Sequence, residues 1–169
     1  VREVGDLRAE GSVLNNFAVR ATADGRPDLA LKYLGQSLKL VQKIGDRQGE
    51  AAILNNIGRL YADKGNYEVA YKYLSQALEI SVAIGDRHSE GSMLSNMSRV
   101  YSGKGDNDTA LQYLERSLQI QREIKNTHGV ANALNNIGAI LIEQGKYEEA
   151  ARVLLEAFSI LFAIGSPDL

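Results

Sequence analysis

A fixed period of 40 residues runs through the chain, and a period of that length restricts the fold to architectures that stack one supersecondary unit on the next. Shifting the sequence by 40 superposes Leu14, Leu54, Leu94 and Leu134, then Asn16, Asn56, Asn96 and Asn136, then Gly25, Gly65, Gly105 and Gly145. Ala30, Ala70, Ala110 and Ala150 follow, as do Ile44, Ile84, Ile124 and Ile164, while Gly5, Gly45, Gly85 and Gly165 mark the seams. Residues 45–84 and 85–124 are identical at 16 of 40 positions without a gap, more than shared composition produces.

Each unit reads as two helices. Ile53, Leu54, Ile57, Leu60 and Tyr61 recur at spacings of three and four, an apolar stripe on a 3.6-residue helix. Gly65-Asn66 ends this helix A: glycine takes the left-handed conformation that closes a helix, and asparagine caps the next. Ala70, Tyr73, Leu74, Ala77, Leu78 and Val82 form the stripe of helix B. Gly45-Asp46 and Gly85-Asp86 repeat the stop-and-cap chemistry between units, and Pro27 suits a first helical turn. The spacing predicts helix A near 7–23, 47–63, 87–103 and 127–143, and helix B near 27–44, 67–84, 107–124 and 147–164. One pair of helices cannot bury both stripes, so the units must stack, and the expected class is an all-α solenoid.

Leu54, Ile57, Gly58, Tyr61, Gly65, Tyr67, Ala70, Leu74 and Ala77 resemble, in order and spacing, the tetratricopeptide repeat (TPR) pattern of large, large, small, large, then glycine, aromatic, alanine, large and alanine. Phe17, Ala18, Ala21 and Pro27 depart from it in the first unit, and Met97, Ser98 and Asn107 in the third. The 40-residue length, Val82 where a late proline is usual, and the Leu-Asn-Asn string are similar to a long-helix TPR subclass. That subclass is seen in kinesin light chains, polarity scaffolds and bacterial regulators that sense peptides or precede signalling output domains. The resemblance implies a right-handed solenoid of eight antiparallel helices over 1–169, with repeats 6–44, 46–84, 86–124 and 126–164. Gly58, Ala70 and Ala77 are expected where helices A and B cross most closely, and Tyr33, Tyr73 and Tyr113 in packing between units.

The paired asparagines need a reason. Asparagine in a helix interior costs about 0.6 kcal/mol against alanine, so Asn15, Asn16, Asn55, Asn56, Asn96, Asn135 and Asn136 together cost about 4 kcal/mol. On a helical wheel Leu54, Ile57, Gly58 and Tyr61 mark the buried side; Ala52, Asn55 and Arg59 lie opposite and Asn56 on the flank. In a TPR array the opposite side of every helix A lines a concave groove. There a row of amides, donor and acceptor at once, holds the backbone of a bound peptide or helix. The flank set, Asn16, Asn56, Asn96 and Asn136, has two readings: hydrogen bonds between successive A helices, or contact with a ligand.

The predicted groove comprises Asn15, Asn16, Asn55, Asn56, Arg59, Ser95, Asn96, Arg99, Asn132, Asn135, Asn136, Ala139 and Ile142. Arg59 and Arg99 suit carboxylates of a partner with acidic side chains. Ala52, Ser92, Ser95 and Ser102 leave room for a bulky ligand, and Ala139 and Ile142 supply an apolar end with Glu143 at its rim. His88 and His128, one period apart, are too few for a metal site and read as surface residues. Glu10, Glu50 and Glu90 sit in first turns, where an acid suits the helix dipole.

Composition narrows the function. Lys and Arg total 19 against 21 Asp and Glu, a net charge of −2, which leaves no basic field for nucleic acid or an anionic membrane. No stretch is long and apolar enough to span a bilayer. There is no cysteine, in keeping with a reducing compartment such as the cytoplasm. No nucleophile–base pair, phosphate loop or metal set appears, so the expectation is a binding protein without cofactor or catalysis. It is a module of a scaffold or signalling protein; the alternatives are a structural spacer or oligomerisation unit, or the sensory region of a larger protein. Val1 to Asp6 align with Val41 to Asp46, so the chain is expected to begin in the tail of a preceding helix B, cut from something longer. Leu155, Phe158, Leu161 and Phe162 make the last helix greasier than its siblings, which predicts a further helix or self-association there.

Overall fold

The computed structural model describes residues 4–165, and among them it holds eight α-helices and no strand. The chain is an all-α helical repeat array that divides into two compact units, Val1–Asp86 and Arg87–Leu169. The first contains α1 (Val4–Ala23), α2 (Pro27–Ile44), α3 (Arg47–Asp63) and α4 (Tyr67–Ile84). The second contains α5 (Arg87–Gly103), α6 (Asn107–Glu123), α7 (Thr127–Glu143) and α8 (Tyr147–Gly165). The predicted bounds hold to within one residue except at the start of α1. There Gly5-Asp6 is not a break: the helix runs through both, and Gly5 is absent from the left-handed glycines. A left-handed glycine closes a helix by donating to that helix's last carbonyls. Val1 to Glu3, which the expectation of a preceding helix B also needs, lie outside the described residues.

Four of the seven junctions are built one way. At Asp46, Asn66, Asp106 and Asn126 the backbone N–H returns to the carbonyl five residues back, on Val41, Tyr61, Tyr101 and Gln121, each at 2.9 Å. The side-chain oxygen of the same residue caps the next helix, accepting from Gly49, Val69, Thr109 and Gly129 respectively. One residue thus closes one helix and opens the next. Preceding it stands a residue of positive φ: Gly45, Gly65 and Gly105 at 71°, 74° and 82°. At the α6–α7 junction that residue is Lys125, at 57°.

Helix pairs close on small residues. A Cβ on Gly58 would stand 2.6 Å from Leu74 Cγ and one on Gly138 2.6 Å from Leu154 Cγ, so each leucine fills space that any side chain would claim. Ala70 and Ala77 are wholly buried at the same crossing. A second contact alternates in chemistry. In repeats 1 and 3 the hydroxyls of Ser37 and Ser117 donate to the carbonyls of Gly11 and Gly91, both at 2.7 Å. In repeats 2 and 4 the same places hold Ala51 with Ala77 and Ala131 with Ala157, all buried. A buried hydroxyl needs a partner, and a methyl does not.

Within unit 1 the core joins Ala18, Leu34, Ile53, Ile57 and Leu60; within unit 2 it joins Leu114, Ile137, Ile140 and Ala150, with Val130, Leu134 and Ala157 beside them. Tyr73 stacks on Tyr61 at 5.8 Å between ring centroids, Tyr113 on Tyr101 at 5.3 Å, and Tyr33 meets Phe17 at 5.7 Å. Each of these tyrosines thus meets a ring of helix A in its own repeat, and Tyr33 and Tyr73 also pack against the core that joins repeats 1 and 2. Such a pair contributes about 0.5–1.5 kcal/mol beyond area burial.

Two outcomes follow from the junctions. A non-glycine residue in the left-handed region costs about 1–2 kcal/mol, partly offset by the looser unfolded chain of glycine. Lys125→Gly is therefore expected to raise the stability of unit 2 by about 0.5–1 kcal/mol in urea unfolding; no gain would show that Lys125 is not strained. Hydrogen bonds from Thr109, its side chain foremost and its backbone N–H second, hold the Asp106 carboxyl below the usual carboxylate range. A depressed folded pKa gives stability that is present above the ordinary carboxylate range and lost as pH falls through the lowered value. Asp106→Asn keeps the capping oxygen and removes the titration, so urea midpoints measured from neutral pH down to about pH 2 should fall less steeply than in the unsubstituted chain.

Candidate functional site

The A helices turn their apolar stripe inward, which leaves the opposite face open. In unit 2 these helices are α5 and α7, and a cavity of about 790 Å³ lies between them. Ser95, Asn96, Arg99, Asn132, Asn135 and Asn136 all line it. Arg99, Asn132 and Asn135 are exposed, and Ser95, Asn96 and Asn136 half-buried. Ser95 is held by a 2.8 Å hydroxyl contact with Ser117 of α6. Past Arg99 and Asn136 a second hollow, of about 240 Å³, is walled by Ser98, Ser102, Ala139, Ile140 and Glu143. Ile142, 46% exposed, stands outside the lining of both.

The floor of the larger cavity is Gln121, which comes from α6 and is only 3% exposed. Its amide lies between two glycines: a Cβ on Gly91 would be 2.5 Å from Nε2 and one on Gly129 2.4 Å from Oε1. Asn126 donates to Gln121 Oε1 at 2.8 Å and lies 3.4 Å from His88 Nδ1, while its own oxygen caps α7. His88 and His128 also line this cavity. The titratable side chains of the lining are thus two imidazoles and one guanidinium, with no carboxylate among them. Beside it, Arg87 bridges Glu90 at 2.7 Å and Glu123 at 2.5 Å. That arginine, foremost, and Gln119 hold the Glu123 carboxyl below its ordinary value.

Unit 1 carries a smaller version. Asn15 and Asn16 line a hollow of about 240 Å³ with Arg8, Ser12 and Ala52, over a floor of Gly11, Ser37 and Val41. Asn56 Nδ2 donates to Asn15 Oδ1 at 3.1 Å, so one amide of the flank set is joined to one of the groove-facing set. Asn55 and Arg59 are half-buried on α3, outside that hollow. Glu50 and Glu90 are buried first-turn acids paired with Arg47 and Arg87, and Gln42 also donates to Glu50 at 2.9 Å. On α8, Leu155 and Phe158 are each 65% exposed, with Leu161 and Phe162 exposed beside them.

Sequence reasoning missed Gln121, Asn126 and the two histidines as lining residues. Gln121 stands one period from Ser81 and two from Val41, so it breaks a small or apolar series; that irregularity was the available signal. The histidines recur one period apart in first turns, a position that the structure shows at the mouth of the α5–α7 space.

No described helix is long and apolar enough to cross a membrane. No curated protein matches the chain. Among solved structures it is similar to BtubC (BKLC) from P. vanneervenii, at 22% identity over 92% of this chain and 64% of that one, with a TM-score of 0.79. It is similar to aspartyl phosphate phosphatase F from Bacillus subtilis, at 14% identity over 100% and 43%, TM-score 0.86. It is also similar to a Rap protein complexed with Competence and Sporulation Factor, at 18% identity over 99% and 45%, TM-score 0.85. At these identities the likeness is one of fold, and the chain spans less than two thirds of each of the three. The tetratricopeptide repeat profile matches residues 9–83 and 89–161, which take in both units and nearly all of the eight helices. The chain belongs to the tetratricopeptide repeat family.

Proposed function

We propose that this chain is a protein-interaction module that grips a peptide or helix of a partner protein between α5 and α7, as part of a cytoplasmic scaffold or signalling protein. The supporting observation is convergence: six residues of the expected groove line one cavity of about 790 Å³. That volume falls in the range of ligand sites, roughly 300–1,000 Å³. Asn132, Asn135 and Asn136 offer donors and acceptors to a peptide backbone whatever its side chains. Arg99 takes an acidic side chain of the partner. Ala139 and Ile140 receive an apolar residue at the far end. The Rap protein's complex with Competence and Sporulation Factor agrees with a binding role for this fold.

A second reading, contact through the terminal helix, is favoured by the exposed Leu155, Phe158, Leu161 and Phe162, with the Phe158 and Phe162 rings 6.1 Å apart. It makes the chain an oligomerisation unit or spacer. The two readings separate in one experiment. Peptides are selected from a displayed random library by the unsubstituted chain, then measured against Arg99→Ala/Asn132→Ala/Asn135→Ala and against Leu161→Glu/Phe162→Glu. Two lost amide contacts and one charged one should weaken binding more than about thirtyfold in the first variant, with its circular dichroism unchanged. Unaltered affinity there refutes the α5–α7 site. A drop in light-scattering mass confined to the α8 variant supports the second reading.

A further inference from the structure

The outer side of unit 2 holds a cavity that the α5–α7 site does not use. It occupies about 630 Å³ and is walled by Leu111 of α6, Ile137 and Leu141 of α7, and Val153 of α8. Glu115, Lys146, Glu149 and Arg152 ring its mouth. Its origin is legible in a comparison inside the chain, because 80 residues earlier the corresponding place belongs to unit 1. Leu111 and Ile137 have the same side chains there, as Leu31 and Ile57. Leu141 and Val153, however, stand where unit 1 has Tyr61 and Tyr73. Those two rings lie parallel and offset, with an interplanar angle of 0° and centroids 5.8 Å apart. Repeat 3 likewise fills its own position with the Tyr101–Tyr113 stack. Repeat 4 keeps the apolar walls and has lost both rings.

The rim has changed as well. Glu115, Lys146, Glu149 and Arg152 replace Gly35, Asn66, Val69 and Lys72, so one charge has become four of balanced sign around an apolar floor. Four apolar walls beneath four charged side chains give the cavity an apolar floor and a polar edge. The walls suit an aromatic face, and the rim offers donors and acceptors to a hydroxyl at the ring's far end.

We propose that this cavity is a docking site for a tyrosine side chain of a partner protein, which supplies from outside an aromatic ring where repeat 4 has none of its own. Ring burial supplies the attraction, and the charged rim orients the phenol and the flanking peptide. The site is distinct from the α5–α7 cavity, and neither proposal depends on the other.

N-acetyl-L-tyrosinamide is the probe, and methyl-detected NMR of Leu111 and Ile137 is the readout, since a ring stacked on these walls shifts their methyl signals. The expected result is a saturable shift at roughly millimolar probe, absent with N-acetyl-L-leucinamide. In Leu141→Tyr/Val153→Tyr, which refills the space as unit 1 does, the probe shift should vanish and the melting temperature should rise. Val153→Tyr alone is the second variant should the pair fail to fold, and the titration of the unsubstituted chain needs no variant. Equal shifts with the leucine amide, no shift at these methyls, or an undiminished shift in the refilled chain would overturn the proposal. So would movement of the same signals on dilution without probe, which assigns the cavity to a second copy of the chain.

Discussion

Leu74 occupies the volume that a side chain on residue 58 would need, and Leu154 does the same for residue 138. This exclusion sets how closely helices A and B approach in repeats 2 and 4, and much else is fixed by it. With the backbones held so near, the stripe containing Leu54 and Ile57 is committed to the interior, and the wheel leaves Ala52, Asn55 and Arg59 on the open side. The asparagines are where they are because a hairpin packed this tightly has only one face left to offer. Interiors respond to a single methylene, so the polar face inherits its orientation from the apolar one.

Most of the fold was legible because its determinants are local and repeated. A glycine of positive φ followed by Asp or Asn marks four of the seven junctions, Gly25-Arg26 and Gly145-Lys146 keep the glycine alone, and all eight helices end within one residue of where the pattern places them. The exceptions are instructive. Gly5 has the right neighbour in Asp6 yet lies inside α1. Lys125 carries no turn signal, and the repeat forces it into the left-handed region regardless. Tertiary context overrides local preference at both places.

The candidate site was legible only in part. Helical position found the residues on the A helices, and six of them share a cavity in unit 2. It found neither Gln121, which reaches that cavity from a B helix through the gap between Gly91 and Gly129, nor Asn126, whose capping role hid its bond to that glutamine. A side chain inserted from another element leaves no periodic trace on the helices that it passes between. Val41 and Gln121, equivalent by position, stand in the floors of the two units' hollows, one as an apolar side chain and the other as an amide.

The alternation between Ser37 with Gly11, or Ser117 with Gly91, and the two alanine pairs reaches beyond packing. The acceptor for Ser37 is a backbone carbonyl, and a Cβ on Gly11 would stand 3.7 Å from the serine oxygen, an ordinary contact, so this place admits the alanine that residue 51 carries. At this contact the first helix of repeat 2 could stand in for that of repeat 1 without stranding the buried hydroxyl, because any residue there brings the carbonyl that the serine needs.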